Sequence, residues 1–164
     1  MPVSRSFVCS QQLMEDASAG VAAGIVATTT MSAWMLFAKR IGWLNEQPPK
    51  RLTRRLAGRA GWHVAGERLG VIATLTHFAI GMTAGAAFAS FQQRRRAMPA
   101  SVLAGIGYGL IVWFLGYVAV LPPLDLMPPP GDGERRRTSA MTIAHVVYGA
   151  TLGVVVHLIQ RRPR

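Results

Sequence analysis

The sequence predicts an all-α integral membrane protein, a four-helix bundle made of two pseudo-symmetric helical hairpins. Three observations lead there. Residues 17–38, 70–91, 100–121 and 139–159 contain no Asp, Glu, Lys or Arg, and each stretch reaches the roughly 20 apolar residues that cross a bilayer. The Lys and Arg residues gather at the ends of these stretches, where they meet headgroups and pin helix ends. The second and fourth stretches also repeat one residue pattern.

Charge needs a separate reading, because the formal net charge is +11. In a soluble chain that would point to nucleic acid. Here the four spans consume the chain and leave no folded basic domain, so nucleic acid is not an expected partner. The expected partners are the lipid bilayer, anionic lipid headgroups, and a second copy or another membrane protein packed on small residues. A single cysteine, Cys9, excludes an intramolecular disulfide.

Residues 1–16 read as a short polar tail, and residues 17–160 as one domain. The first helix starts near Ala17, with Glu15, Asp16 and Ser18 suited to a first turn. The connection after Lys39 and Arg40 is the longest. Within it, residues 49–65 place Leu52, Leu56, Ala60 and Val64 on one stripe among arginines, after Pro48 and Pro49. This spacing predicts a basic amphipathic helix on the membrane surface, with Trp43 and Trp62 at headgroup level. A short basic link joins helices two and three, which makes them antiparallel neighbours. A link with five prolines follows helix three. It cannot continue a helix, and its Leu and Met residues suggest packing back onto the bundle mouth.

The repeat reads H-x-x-x-G-x-T-x-G. It runs from His77 through Gly81 and Thr83 to Gly85, and from His145 through Gly149 and Thr151 to Gly153. Helices one and three share a weaker pattern, in which Gly20 and Gly24 pair with Gly105 and Gly109. A duplicated hairpin explains both, with its axis along the membrane normal. Residues at i, i+4 and i+8 lie near one face. Gly81, Gly85, Gly149 and Gly153 are therefore the expected close-packing positions, and His77 and His145 begin the same stripes and should face protein.

Both histidines sit about two turns into helices running the same way, roughly 10 Å below one surface at 1.5 Å per residue. At that depth the other helices offer Thr30, Ser32, Trp113 and Tyr117. These six residues form the candidate intramembrane polar layer, since ionisable groups inside a membrane suggest function by default. One reading is a register-fixing hydrogen bond. A second is a path for protons or polar solutes through a small transporter or channel component. A third is haem b held between two histidines in an electron carrier. No cofactor is predicted and no metal site is expected, because no Cys, Asp or Glu lies at that depth to complete a shell. His157 is expected at the far interface and His63 in the surface loop. The catalytic signatures G-x-S-x-G, the Walker glycine loop and H-E-x-x-H are missing from the sequence. The expectation is thus a non-enzymatic accessory or packing module.

Several of these residues resemble the YagU-type family of bacterial inner-membrane proteins, which has no established function. The likeness rests on the Ala-Gly-rich first helix, Pro48-Pro49-Lys50, Thr76-His77, Pro122, Pro123, Asp125 and Leu126 after a Gly-rich third helix, and His145 with Tyr148. It covers most of residues 17–160 at motif level. It implies a multi-pass protein of the bacterial inner membrane with both termini cytoplasmic, and it implies nothing about chemistry. The count of Lys and Arg over whole loops, taken alone, points the termini the other way, and counting only those flush against helix ends gives a tie.

Overall fold

The computed structural model describes residues 5–92, 97–126 and 135–161, with backbone alone for 5–9. Arg94, Arg95, Arg96 and most of the proline-rich link fall outside the described residues. Among the described residues there are five α-helices: α1 Arg5–Arg40, α2 Pro48–Arg59, α3 Gly66–Phe91, α4 Met98–Trp113 and α5 Arg135–Gln160. A π-helical segment, Phe114–Val120, continues α4. Four helices are long and apolar enough to cross a membrane: those covering Ser10–Arg40, Gly66–Phe91, Met98–Val120 and Arg135–Gln160. The fold is the expected all-α membrane bundle.

Helix α1 starts at Arg5, not near Ala17, so the polar tail is largely helical. Its stretch from Gln11 to Glu15 holds good helix formers and no Gly or Pro, and a helix already nucleated by the span propagates through them. At 1.5 Å per residue, 36 residues give about 54 Å, well beyond the roughly 30 Å hydrocarbon core.

Helix α1 packs on α3 and on α5, and α5 packs on α4. The α1–α3 and α4–α5 pairs are backbone-to-backbone seams. A Cβ added to Gly20 would strike the Gly85 carbonyl, and one added to Gly24 the Gly81 carbonyl. In the second hairpin, a Cβ on Gly149 would strike the Gly105 carbonyl, and one on Gly153 the Ser101 carbonyl. The four glycines of the repeat are therefore all at helix contacts, as the stripe predicts.

The correspondence between α1 and α4 is one turn away from the sequence pairing. Gly81 and Gly149 face Gly24 and Gly105, while Gly85 and Gly153 face Gly20 and Ser101. Gly20 and Gly24 thus take in one seam the contact positions that Ser101 and Gly105 take in the other. A glycine-to-glycine match misled the sequence reading, because serine fills the small-residue position in α4.

Helix α2 is present where expected but ends at Arg59, six residues early. Gly61, at φ +74°, turns the chain, and the Trp62 N–H bonds the Ala57 carbonyl at 2.8 Å, closing the C-terminus as a left-handed glycine does. Pro48 and Thr53 are the buried residues of α2, whereas Leu56 is 45% exposed and Trp62 71% exposed. The helix thus presents one apolar flank to the bundle and leaves Leu56 outside. Arg55 donates to the Asp125 carbonyl at 2.6 Å, tying α2 to the turn after α4. That turn does fold back, since Leu126 is buried.

Candidate functional site

The two ends of the bundle are built from different residues. Near one end the glycine seams bring backbones into contact. Toward the other, α1 carries Thr28, Met31 and Met35 where Gly20 and Gly24 stood one and two turns earlier. The α1–α3 pair can no longer close there. On the opposite wall α4 becomes a π-helix at Phe114. Its wider turn ends against Pro122, which has no N–H to offer a helix. π-Segments inside α-helices often mark functional positions.

Between these walls lies a cavity of about 190 Å³, lined by all five helices and the π segment. Helix α1 contributes Thr28, Met31 and Met35, and α3 contributes Ala73, Thr76, His77, Ile80, Gly81 and Ala84. Val112 and Trp113 come from α4, and Gly116 and Tyr117 from the π segment. Met141, His145 and Tyr148 come from α5, while Pro48, Pro49, Leu52 and Thr53 of α2 cover one side. The floor is tied by two tyrosines that donate across to α3, Tyr148 to the Gly81 carbonyl at 2.7 Å and Tyr108 to the Ala84 carbonyl at 2.9 Å.

Four of the six residues of the expected polar layer line this cavity: His77, His145, Trp113 and Tyr117. The two histidines, read from sequence as sharing depth and face, meet in one space. The His145 imidazole is held by its own helix, with Nδ1 2.8 Å from the Met141 carbonyl. Trp113 and Tyr117 stack, with ring centroids 6.2 Å apart.

Thr30 and Ser32 are not part of the lining. Thr30 donates to the Ala27 carbonyl and meets Thr151 at 3.1 Å in the α1–α5 contact. Ser32 lines a separate outer groove that His77 also borders. The residue that does face the cavity is Thr28, 1% exposed. Its signal was available, because Gly20, Gly24 and Thr28 continue one i, i+4, i+8 stripe. Tyr148, one turn beyond His145, was likewise legible on the cavity face. The two threonines of the repeat differ: where Thr151 meets Thr30, Thr83 is exposed and bonds back to the Ala79 carbonyl. His157, expected at the interface, is buried at 5% exposure, 3.4 Å from the Ser101 hydroxyl. His63 is exposed as expected.

The cavity's chemistry is set by unmet hydrogen bonds. Thr28 Oγ1, His77 Nε2, Trp113 Nε1 and Tyr117 OH are buried without a partner. Such groups usually find protein or ordered water, and each unpaired one costs on the order of 1–3 kcal/mol. Arg137 lies over the Tyr117 ring, 5.4 Å from its centroid. Among the described residues no cluster of three His, Cys, Asp or Glu could hold a metal ion.

The cavity, at about 190 Å³, is smaller than the roughly 300–1,000 Å³ of pockets for drug-sized ligands.

No curated protein and no solved structure matches the chain. Residues 14–164 match the model of a family of unknown function, DUF6789, and the chain belongs to that family.

Proposed function

We propose that this protein is a non-enzymatic membrane module that takes a small ligand into the cavity beneath α2. The carrying observation is the set of four buried, unpartnered polar atoms around one space, on Thr28, His77, Trp113 and Tyr117. A mostly apolar pocket with a few convergent polar groups is the usual form of a binding site. A purely structural layer would pair its members with each other, as Thr30 and Thr151 do. The lining contains no Cys, Asp, Glu or Lys, which supports binding or passage over catalysis. The glycine seams serve as the packing module that holds the site open, and a duplicated hairpin is the origin we assign to them. On the motif-level likeness to YagU-type proteins, we place the protein in a bacterial inner membrane with both termini cytoplasmic.

The test is thermal unfolding of the full chain in nanodiscs with benzamide, a planar ligand sized to the cavity (an apolar cavity of about 150 Å³ holds benzene). Binding to the folded state alone raises the unfolding temperature as ligand is added. The expected result is a concentration-dependent rise in the native protein and none in Gly116→Leu, a bulky substitution at a lining position where an added Cβ meets no atom within 4 Å. Equal behaviour of the two proteins overturns the reading.

A further inference from the structure

A second space lies on the outside of the bundle, where α2 meets the start of α3 and the last turns of α1. It is a groove of about 620 Å³. Met35, Pro49, Ala73 and His77 border both this groove and the cavity beneath α2. Its outer walls are different residues, exposed and apolar: Leu36 of α1 and Val71 and Leu75 of α3. Polar groups gather at one end. Lys50 of α2 lies against the first turns of α3, since a Cβ added at Gly70 would stand 3.7 Å from both its Cε and its Nζ. Glu67, about one turn before Gly70, lines the same end. Among the described residues neither Lys50 nor Glu67 has an ion pair or a side-chain hydrogen bond.

Length and charge together say what fits there. Glu67 precedes the uncharged stretch that starts at Gly70, which puts it at headgroup level. Phe78 is the α3 residue of the lining furthest along the helix. From Glu67 to Phe78 the helix rises about 16 Å, and half of the hydrocarbon core is about 15 Å. The groove therefore runs from the headgroups through one leaflet, the reach of one acyl chain. Its polar end carries one cation and one anion. A purely anionic headgroup would suit Lys50 and be repelled by Glu67. A choline headgroup has no N–H to give a carboxylate. A phosphate linked to a primary ammonium meets both, accepting from Lys50 and donating to Glu67 in charge-assisted hydrogen bonds.

We propose that this groove holds one phospholipid of the ethanolamine type, with its headgroup between Lys50 and Glu67 and one chain along Val71, Leu75 and Phe78. The site stands apart from the ligand reading of the inner cavity, and either can fail alone.

The experiment is native mass spectrometry of the full chain in detergent. Phosphatidylethanolamine, phosphatidylcholine and phosphatidylglycerol with the same acyl chains are titrated, and the affinity of the first bound lipid is read. Phosphatidylethanolamine is expected to bind about fivefold more tightly than either of the others, the upper end for an exposed ion pair. This comparison is made on the native protein and needs no variant to fold. Glu67→Gln should bring phosphatidylethanolamine down to the level of phosphatidylcholine and leave phosphatidylcholine unchanged. Lys50→Gln should weaken all three through the phosphate they share. Leu75→Trp should also weaken all three, by crowding the chain. Circular dichroism checks each variant. Equal binding of the three lipids, a preference for phosphatidylglycerol, or an ethanolamine preference that survives Glu67→Gln overturns the proposal. Dimers that Leu75→Trp dissociates would overturn it too, by giving the groove to a second copy of the chain.

Discussion

The two ends of this bundle share four helices and differ in what stands between them. At the seam end, Gly20 meets Gly85 and Gly153 meets Ser101, backbone to backbone. Gln160 there donates to the Asp16 carboxylate and to the Ala89 carbonyl, and His157 meets Ser101, while Gln92 Nε2 is buried without a partner. At the cavity end, Thr28, Met31 and Met35 replace glycine along α1, the π segment widens the opposite wall, and four polar atoms are left without partners. In lipid no hydrophobic force draws helices together, so close backbone packing must do it. The seams therefore supply the stability that lets the other end keep an under-packed polar space.

The largest effects should come from closing off that packing. Gly85→Ala or Gly149→Ala puts a methyl group into opposing backbone that cannot rotate away. Each should cost about 3 kcal/mol, the upper part of the usual overpacking range, read as reversible unfolding in mixed micelles. Gly107 is the control, since a Cβ there meets nothing within 4 Å. Gly107→Ala should stabilise by up to about 1 kcal/mol through helix propensity. Equal costs at Gly85 and Gly107 would break the distinction between seam and surface.

Tyr148→Phe removes the hydroxyl that ties the floor to Gly81. A loss of about 1 kcal/mol is expected, in the range of hydrogen bonds between membrane helices. Benzamide binding should weaken as well if the floor fixes the cavity's shape, whereas a change in stability alone would assign Tyr148 to packing.

A pair of threonines on α1 sharpens the contrast. Thr30→Val breaks the contact with Thr151 and should destabilise by about 0.6 kcal/mol. Thr28→Val removes a buried hydroxyl that has no partner, and should stabilise by about 1 kcal/mol while weakening the ligand. Opposite signs two residues apart are the signature of a site that holds unmet polar groups for function; the same sign for both would remove it.

The smallest effect concerns α2. Spin labels from Arg51 to Arg59 should alternate between lipid and water exposure with helical period, with Leu56 on the lipid side, as expected of an interfacial helix. Uniform water exposure would leave α2 as a solvated cap.

Much of this was legible in the chain. The four uncharged stretches fixed the spans, because hydrocarbon penalises every charge and demands helical backbone. The i, i+4, i+8 arithmetic placed the seam glycines and brought His77 and His145 to one space, since helical geometry is set by the peptide unit alone. The same arithmetic pointed to Thr28, but the run from Thr28 to Ser32 offers hydroxyls on every face, and Thr30 and Ser32 were chosen instead. The helical start at Arg5, the early stop of α2 and the burial of His157 depend on contacts and turn geometry that periodicity does not encode. Membership of DUF6789 is consistent with the membrane bundle and adds no chemistry.

Sequence by itself determined how many times the chain crosses and which face of each helix carries small residues. Only the tertiary structure decided the register of α4 against α5, in which serine stands in for a seam glycine. It alone also decided that α4 leaves the α-helical path at Phe114 and that α2 folds over the resulting gap. The physical reason is that a span is a local property of composition, set by transfer from water to lipid. A cavity is what remains when four packed surfaces fail to meet, and that depends on side chains from all of them at once.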